Sequence, residues 1–249
     1  TGRGEYNLPY DVPANEFLTL EGKNFSTSRN WAVWLPHYLE QYDPDPLRYL
    51  LSANMPESGD ADFSWREFLR RNNDELVATY GNLVHRVLTF TYRHFNGCVP
   101  APGEFDLASK TLLKKAEKTL KAVDACLYRC RFREAMKAAM SLAQEANRYL
   151  DDKAPWKAIK EDKANPAMSL AATLGVIDCL KIVLYPFLPY SSKKLHSLLG
   201  AKEGIEEGGW SFRVPPAGRE LLPPEPLFTK LDEKMLEEEP DLVQRFVRA

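Results

Sequence analysis

Asp62 to Gly97, DFSWREFLRRNNDELVATYGNLVHRVLTFTYRHFNG, reads as one long amphipathic helix. Leu69, Leu76, Tyr80, Leu83, Val84, Val87, Leu88 and Phe90 fall at helical spacings, so one stripe can be buried. Asp62 or Ser64 can cap its start, and Asn96-Gly97 supplies residues tolerant of positive φ to stop it. The opposite face is less ordinary. Asn82, Arg86, Thr89 and Arg93 follow steps of four, three and four, and so stack along one side. Two guanidinium forks among amide and hydroxyl groups suit an RNA base or phosphate. The same row also suits a plain solvated surface.

Downstream, Val99-Pro100-Ala101-Pro102-Gly103 breaks the helical pattern. Ala108 to Cys130 then forms a second helix, with Leu112, Leu113, Leu120, Val123 and Leu127 inside and Lys110, Lys114, Lys118 and Lys121 outside. The short turn Arg129-Cys130-Arg131 leads into a third helix from Phe132 to Leu150. Ala164 to Pro186 makes another, strongly apolar from Leu170 onward but too mixed to span a membrane, and Ser191 to Leu199 a shorter one. Helices joined by short loops imply a bundle. Residues 200–226 read as a Gly/Pro-rich linker, and Asp232 to Val247 as a last helix that starts acidic and ends basic.

Upstream, residues 1–14 read as loop. Glu16 to Leu20 alternates like a short strand, and Glu21-Gly22 turns it into Lys23-Asn24-Phe25-Ser26-Thr27-Ser28-Arg29-Asn30. A hydroxyl-rich loop flanked by Lys23 and Arg29 can grip a phosphate, and it can equally be ordinary surface. Pro36 to Tyr42 suits a short helix. Asp45-Pro46 opens another through Leu51, with Asp45 as its cap.

The 249 residues are 44% hydrophobic and 27% charged, enough for one large domain or two smaller ones. A formal net charge of −2 means that any polyanion site is a local patch rather than a global field. The Lys-rich second helix and the Arg129–Arg133 turn are the one concentrated basic surface. The sequence shows no signal-peptide pattern and no uninterrupted membrane run, and its cysteine usage fits a reducing, cytoplasmic setting. Cys98, Cys126, Cys130 and Cys179 form no CxxC pair, and Cys126 and Cys130 read as buried thiols. The histidines His37, His85, His94 and His196 have no metal-ligand spacing, so no metal site is expected. The start on Thr1 rather than Met suggests a fragment or a processed chain.

One further stretch carries information: Asn147-Arg148-Tyr149-Leu150-Asp151-Asp152-Lys153-Ala154-Pro155-Trp156. The helix has to stop by Ala154, because the residue before proline avoids helical geometry. Pro155 pre-sets a new first turn and Trp156 follows at its mouth, poorly placed for deep burial. Its ring can serve as a stacking platform for an unpaired base, or it can plug a gap between helices.

These stretches together resemble the C-terminal half of the methionyl-tRNA synthetases, a class I aminoacyl-tRNA synthetase family. Gly22-Lys23-Asn24-Phe25-Ser26-Thr27-Ser28-Arg29 resembles the KMSKS loop of that class. Asp45-Pro46-Leu47-Arg48-Tyr49-Leu50-Leu51 resembles the helix that follows the loop. Gly81-Asn82-Leu83-Val84-x-Arg86 and Ala146-Asn147-Arg148-Tyr149-x-Asp151-x-x-Ala154-Pro155-Trp156 resemble the anticodon-binding bundle, and Pro226 to Leu231 the segment that closes the synthetase core.

The resemblance implies a mainly α fold: a class I anticodon-binding helical bundle preceded by a small KMSKS and stem-contact region with a short strand. The implied domains are 1–62, 63–199, a linker 200–226 and a C-terminal helix 227–249. Trp156 would stack on the first base of the CAU anticodon of tRNA(Met), and Arg93 would hydrogen-bond that base. Arg86, Asn82 and Thr89 share the stripe, Thr89 standing where an asparagine is common, and Asp151 would repel wrong loops by charge. Lys23, Ser26, Thr27, Ser28 and Arg29 would form the ATP-phosphate loop, although Asn24 and Thr27 replace the two lysines of KMSKS.

The parent enzyme would use ATP with Mg2+ to activate methionine, and then charge tRNA. The HIGH-bearing catalytic half would lie before Thr1, so this fragment alone is expected to be inactive, with no cofactor bound. Two alternatives stay open: the anticodon-binding part of another class I synthetase, and a non-catalytic helical module that binds tRNA or a protein.

Overall fold

The computed structural model describes residues 9–237. Its smaller part is built on a three-stranded sheet of order β2-β1-β3, with β1 Leu18–Leu20, β2 Lys23–Asn24 and β3 Ala61–Phe63. β1 and β2 pair antiparallel, while β1 and β3 run parallel with Leu18 opposite Ala61. Glu21 (φ 48°) and Gly22 (φ 71°) make the two-residue turn between β1 and β2. Positive φ at both central positions matches the right-handed strand twist, which is why Gly is suited to the second of them.

Helices α1 (Leu35–Gln41), α2 (Pro44–Ala53) and α3 (Trp65–Arg70) pack on this sheet. They bury Leu20, Tyr38, Leu47, Leu50, Phe63, Trp65 and Phe68 in a small, largely aromatic core. Trp65 meets both Phe63 and Phe68 edge-on, with centroids 5.2 and 5.7 Å away, the arrangement favoured by ring quadrupoles.

The larger part is a bundle of α4 (Asn82–His94), α5 (Leu107–Tyr128), α6 (Phe132–Lys153), α7 (Pro155–Ala158), α8 (Ala164–Leu184) and α9 (Pro189–Leu198). α8 is apolar around most of its circumference and is enclosed by its neighbours from Pro166 to Leu184, with Asp178 and Lys181 paired to each other inside it. Although its sequence reads as too mixed to span a membrane, by length and hydropathy it could cross one, but every residue of its apolar window is buried inside the bundle. That is the pattern of a central core helix.

The stretch quoted first departs from a single regular helix in two places. Asp62 lies in β3, and Ser64 is the N-cap, its hydroxyl accepting from the Glu67 N–H at 3.2 Å. Between α3 and α4, residues Arg71–Gly81 wind as a π-helix. The wider register is stabilised by side chains: the Thr79 hydroxyl donates to the Asp74 carbonyl at 2.8 Å, and the Asn147 amide of α6 donates to the Thr79 carbonyl at 3.0 Å. The apolar stripe nevertheless stays inward, with Leu76, Tyr80, Leu83, Val84, Val87 and Leu88 buried. Asn96 (φ 54°) and Gly97 (φ 69°) end it as expected.

Asp45 does not cap its own helix. α2 begins at Pro44 after Asp43, and Asp45 is buried within it, accepting from Ser191 at the start of α9. Cys126 is buried, but Cys130 is only half-buried in a left-handed turn. Residues 200–226 are more than a spacer. Leu221 N–H bonds the Gly97 carbonyl at 2.7 Å, Val99 N–H bonds the Arg219 carbonyl at 2.9 Å, and Ile205 and Leu221 are buried. Of the expected last helix, α10 (Lys234–Glu237) is seen. The remainder to Val247 lies outside the described residues, as do Thr1 to Leu8 of the N-terminal loop.

Candidate nucleic-acid interface

The cleft of interest forms where α6 stops. Ala154 adopts a left-handed conformation (φ 41°, ψ 55°) that breaks the helix before Pro155 and starts α7 at a new angle. A non-glycine residue is held there at some cost. The turn delivers Trp156 to the surface with 38% of its area exposed, so its ring is neither free nor a core plug.

The last turn of α6 is braced from below. Lys153 donates to the Asp106 carboxylate, which also accepts from the Ser109 N–H at 2.8 Å and the Ser109 hydroxyl at 2.6 Å. Ser109 in turn meets the Tyr149 hydroxyl at 2.7 Å. Lys153, then Ser109, hold the Asp106 carboxyl down at about 2, while burial pushes the Tyr149 phenol upward.

Across the cleft stands α4. The Arg86 guanidinium lies 4.7 Å from the Trp156 ring centroid and donates to Asp151 Oδ1 at 2.9 Å. Asp151, on the last turn of α6, thus fixes one edge of the fork while the indole supports its face. Behind them is a cavity of about 90 Å³ whose walls include Val87, Phe90, Leu150 and Leu170. The result is a small, mostly apolar cavity with an aromatic wall and one oriented cation at its rim.

Three of the expected side chains therefore come together directly: Arg86, Asp151 and Trp156. Arg93 is exposed two turns further along α4, roughly 10 Å away by helical rise, and makes no hydrogen bond or ion pair among the described residues. Asn82 is exposed one turn before Arg86. The Thr89 hydroxyl is turned inward and has no hydrogen-bond partner among the described residues. Helical spacing puts both arginines on one stripe and does not say which of them faces the turn before Pro155; the resemblance gives the base contact to Arg93, whereas Arg86 is the one against Trp156.

The Lys23–Asn30 loop forms a second feature, on the smaller part. Ser26 and Trp31 exchange backbone hydrogen bonds at 2.9 and 2.8 Å, pinching Thr27 to Asn30 into a tight loop closed by Asn30 at φ 55°. Ser26 and Ser28 hydroxyls lie 3.3 Å apart, and Arg29 Nε donates to Ser26 Oγ at 3.2 Å. Lys23 Nζ sits over the Trp31 ring, 4.6 Å from its centroid. Thr27 is exposed at the tip.

Comparison with known proteins bears on both features. Residues 1–88 match the family model of class I tRNA synthetases (M), and residues 99–247 match that of the anticodon binding domain of methionyl tRNA ligase. The methionine–tRNA ligase of Dehalococcoides mccartyi is 58% identical over 238 residues, covering 96% of this chain and 43% of that one. That of Pyrococcus abyssi is 47% identical over 232 residues, covering 93% of this chain and 32% of its own length. Among solved structures, Mycobacterium tuberculosis methionyl-tRNA synthetase in complex with methionyl-adenylate superposes with a TM-score of 0.80 at 28% identity, over 86% of this chain and 43% of that one. The chain thus spans less than half the length of these relatives.

Proposed function

The chain belongs to the methionyl-tRNA synthetase family, and from that premise we propose that it is the tRNA-reading, loop-bearing part of a methionine–tRNA ligase. The observation that carries the reading is the half-exposed Trp156 ring with Arg86 held against it by Asp151. An unpaired base stacks on the indole, and the free N–H groups of Arg86 meet its polar edge. A cytosine offers ring-nitrogen and carbonyl acceptors there, which suits a guanidinium fork and the CAU anticodon of tRNA(Met).

Under this reading Arg86 takes the base contact that the sequence resemblance gave to Arg93. Arg93 and Asn82, exposed on either side, meet the backbone or neighbouring nucleotides, and Thr89 stays behind the stripe. On this reading residues 1–62 carry the phosphate loop and 63–199 the anticodon site, although β3 and α3 put Phe63, Trp65 and Phe68 in the core of the smaller part.

The parent enzyme activates methionine with ATP and Mg2+ and transfers it to the 3′ end of the tRNA in the cytoplasm. Lys23, Ser26, Thr27, Ser28 and Arg29 steady the ATP phosphates through hydroxyls and charge. Arg29, bonded to Ser26 Oγ, stands in for the lysine that Thr27 replaces. The Lys-rich face of α5 and the Arg129–Arg133 turn contact tRNA phosphates without reading sequence.

The test compares Arg86→Ala with Arg93→Ala in binding of an anticodon stem-loop RNA. Arg86→Ala weakens the CAU loop by about 1–3 kcal/mol and relaxes preference at its first base. Arg93→Ala weakens CAU and other loops alike. Unchanged binding in Arg86→Ala removes the reading.

A further inference from the structure

Helix α2 carries two charges where it meets the bundle, and each faces a helix end of opposite polarity. Arg48 donates from Nε to the Phe187 carbonyl at 2.8 Å and from Nη2 to the Pro186 carbonyl at 3.0 Å. These groups lie just past the C-terminus of α8, where unpaired carbonyls gather negative charge. One turn earlier on α2, Asp45 accepts from the Ser191 N–H and hydroxyl, both at 2.6 Å. Ser191 is in the first turn of α9, whose free N–H groups carry the opposite sign. The α8–α9 corner is therefore gripped on both sides by one short helix.

Both ends of this grip lead to the two features described above. The Asn54 amide, at the C-terminus of α2, donates to the Asp62 carbonyl at 2.8 Å. The Asp62 carboxylate accepts from the Gly22 N–H at 2.8 Å and the Thr19 hydroxyl at 2.5 Å, at the base of the Lys23–Asn30 loop. In the other direction α8 reaches back to the cleft, where Leu170 lines the cavity behind Trp156. Its 21 residues span roughly 30 Å, buried from Pro166 to Leu184.

We propose that Asp45 and Arg48 are positioning residues that fix the reach from the Lys23–Arg29 loop to the Arg86–Trp156 cleft, so that a tRNA held at the cleft brings its 3′ end in register with the ATP loop. The inference rests on the tRNA reading given above. A long, stiff ligand bound at one site reaches the other with an effectiveness set by how well the joint holds the separation. A loosened joint leaves each site intact and penalises only the event that needs both. Arg48 suits the task because its planar fork addresses two carbonyls at once, whereas a lysine holds one. Arg48 is exposed, so its replacement leaves the core untouched.

The experiment uses the full-length enzyme carrying Arg48→Gln and, separately, Ser191→Ala, which removes one of the two donors to Asp45. Three quantities are read: affinity for the anticodon stem-loop, methionine-dependent ATP–pyrophosphate exchange without tRNA, and kcat/KM for charging intact tRNA. The expected result is that the first two stay at the wild-type level while the third falls about tenfold, with Arg48→Lys recovering part of the loss. Unchanged charging overturns the proposal. So does a parallel fall of all three with a lowered Tm, which is what a purely structural role produces. If the wild-type enzyme fails to bind the stem-loop, the tRNA reading falls and takes this inference with it. Loss of charging alone is the one outcome that supports it.

Discussion

The guanidinium of Arg86 lies over the Trp156 ring at 4.7 Å and is tethered there by Asp151. The two residues come from different helices, seventy positions apart in sequence, and meet because Ala154 turns the chain out of α6. The pairing sets the guanidinium against the indole at the rim of the cavity, so both side chains already have partners there. A preformed site binds without the entropic cost of ordering its own side chains.

The brace beneath this niche makes a pH prediction. The Asp106 carboxyl is held near 2, below its ordinary value, chiefly by Lys153. A depressed folded-state value means that the stabilisation is present above the unfolded value near 4 and is lost as pH falls through about 2. Asp106→Asn keeps a capping side chain but removes the ion pair, so its Tm lies below wild type at pH 7. The gap closes as pH is lowered from 4 to 2, a trend followed by circular dichroism melts.

Asn73 on the π segment clasps the backbone of the C-terminal strap. Its amide donates to the Leu231 carbonyl and its carbonyl accepts from the Leu231 N–H, both at 2.9 Å. Asn73→Ala removes both bonds at a cost of about 1–2 kcal/mol. Hydrogen exchange should show the Leu231 amide opening faster while amides of α8 keep their protection.

Gly200 follows α9 at φ +70°, and a Cβ there would stand 1.7 Å from the Glu220 carbonyl oxygen. Neither backbone can yield without breaking the pairing of residues 219–221 with 97–99. Gly200→Ala should therefore destabilise by about 2–4 kcal/mol, a loss that Gly103→Ala, with open space around it, does not approach. Urea titration of the two variants distinguishes them.

Much of this was legible in the sequence, and the exceptions have identifiable causes. The bundle followed from apolar spacing, and the break at Ala154 from proline chemistry. The π-helix was not legible, because the winding depends on Asn147 of a distant helix satisfying the Thr79 carbonyl. Asp45 looked like a local cap because Asp-Pro is a helix-start signal, yet its partner is Ser191, distant in sequence. Of the stripe Asn82, Arg86, Thr89 and Arg93, the first two and the last reach the surface while the Thr89 hydroxyl turns inward. Which arginine meets the indole depends on where α7 crosses α4, and no periodicity encodes that.

Anticodon reading by this chain depends on the Arg86–Trp156 niche taking a base. The most direct measurement is calorimetric titration of this chain with stem-loop RNAs bearing CAU or UAU, repeated with Trp156→Ala. The expected result is binding of CAU about tenfold tighter than UAU, with a loss of about 1–3 kcal/mol on removing the indole. Equal affinity for the two loops, or a Trp156→Ala variant that binds CAU as well as the wild type, contradicts it.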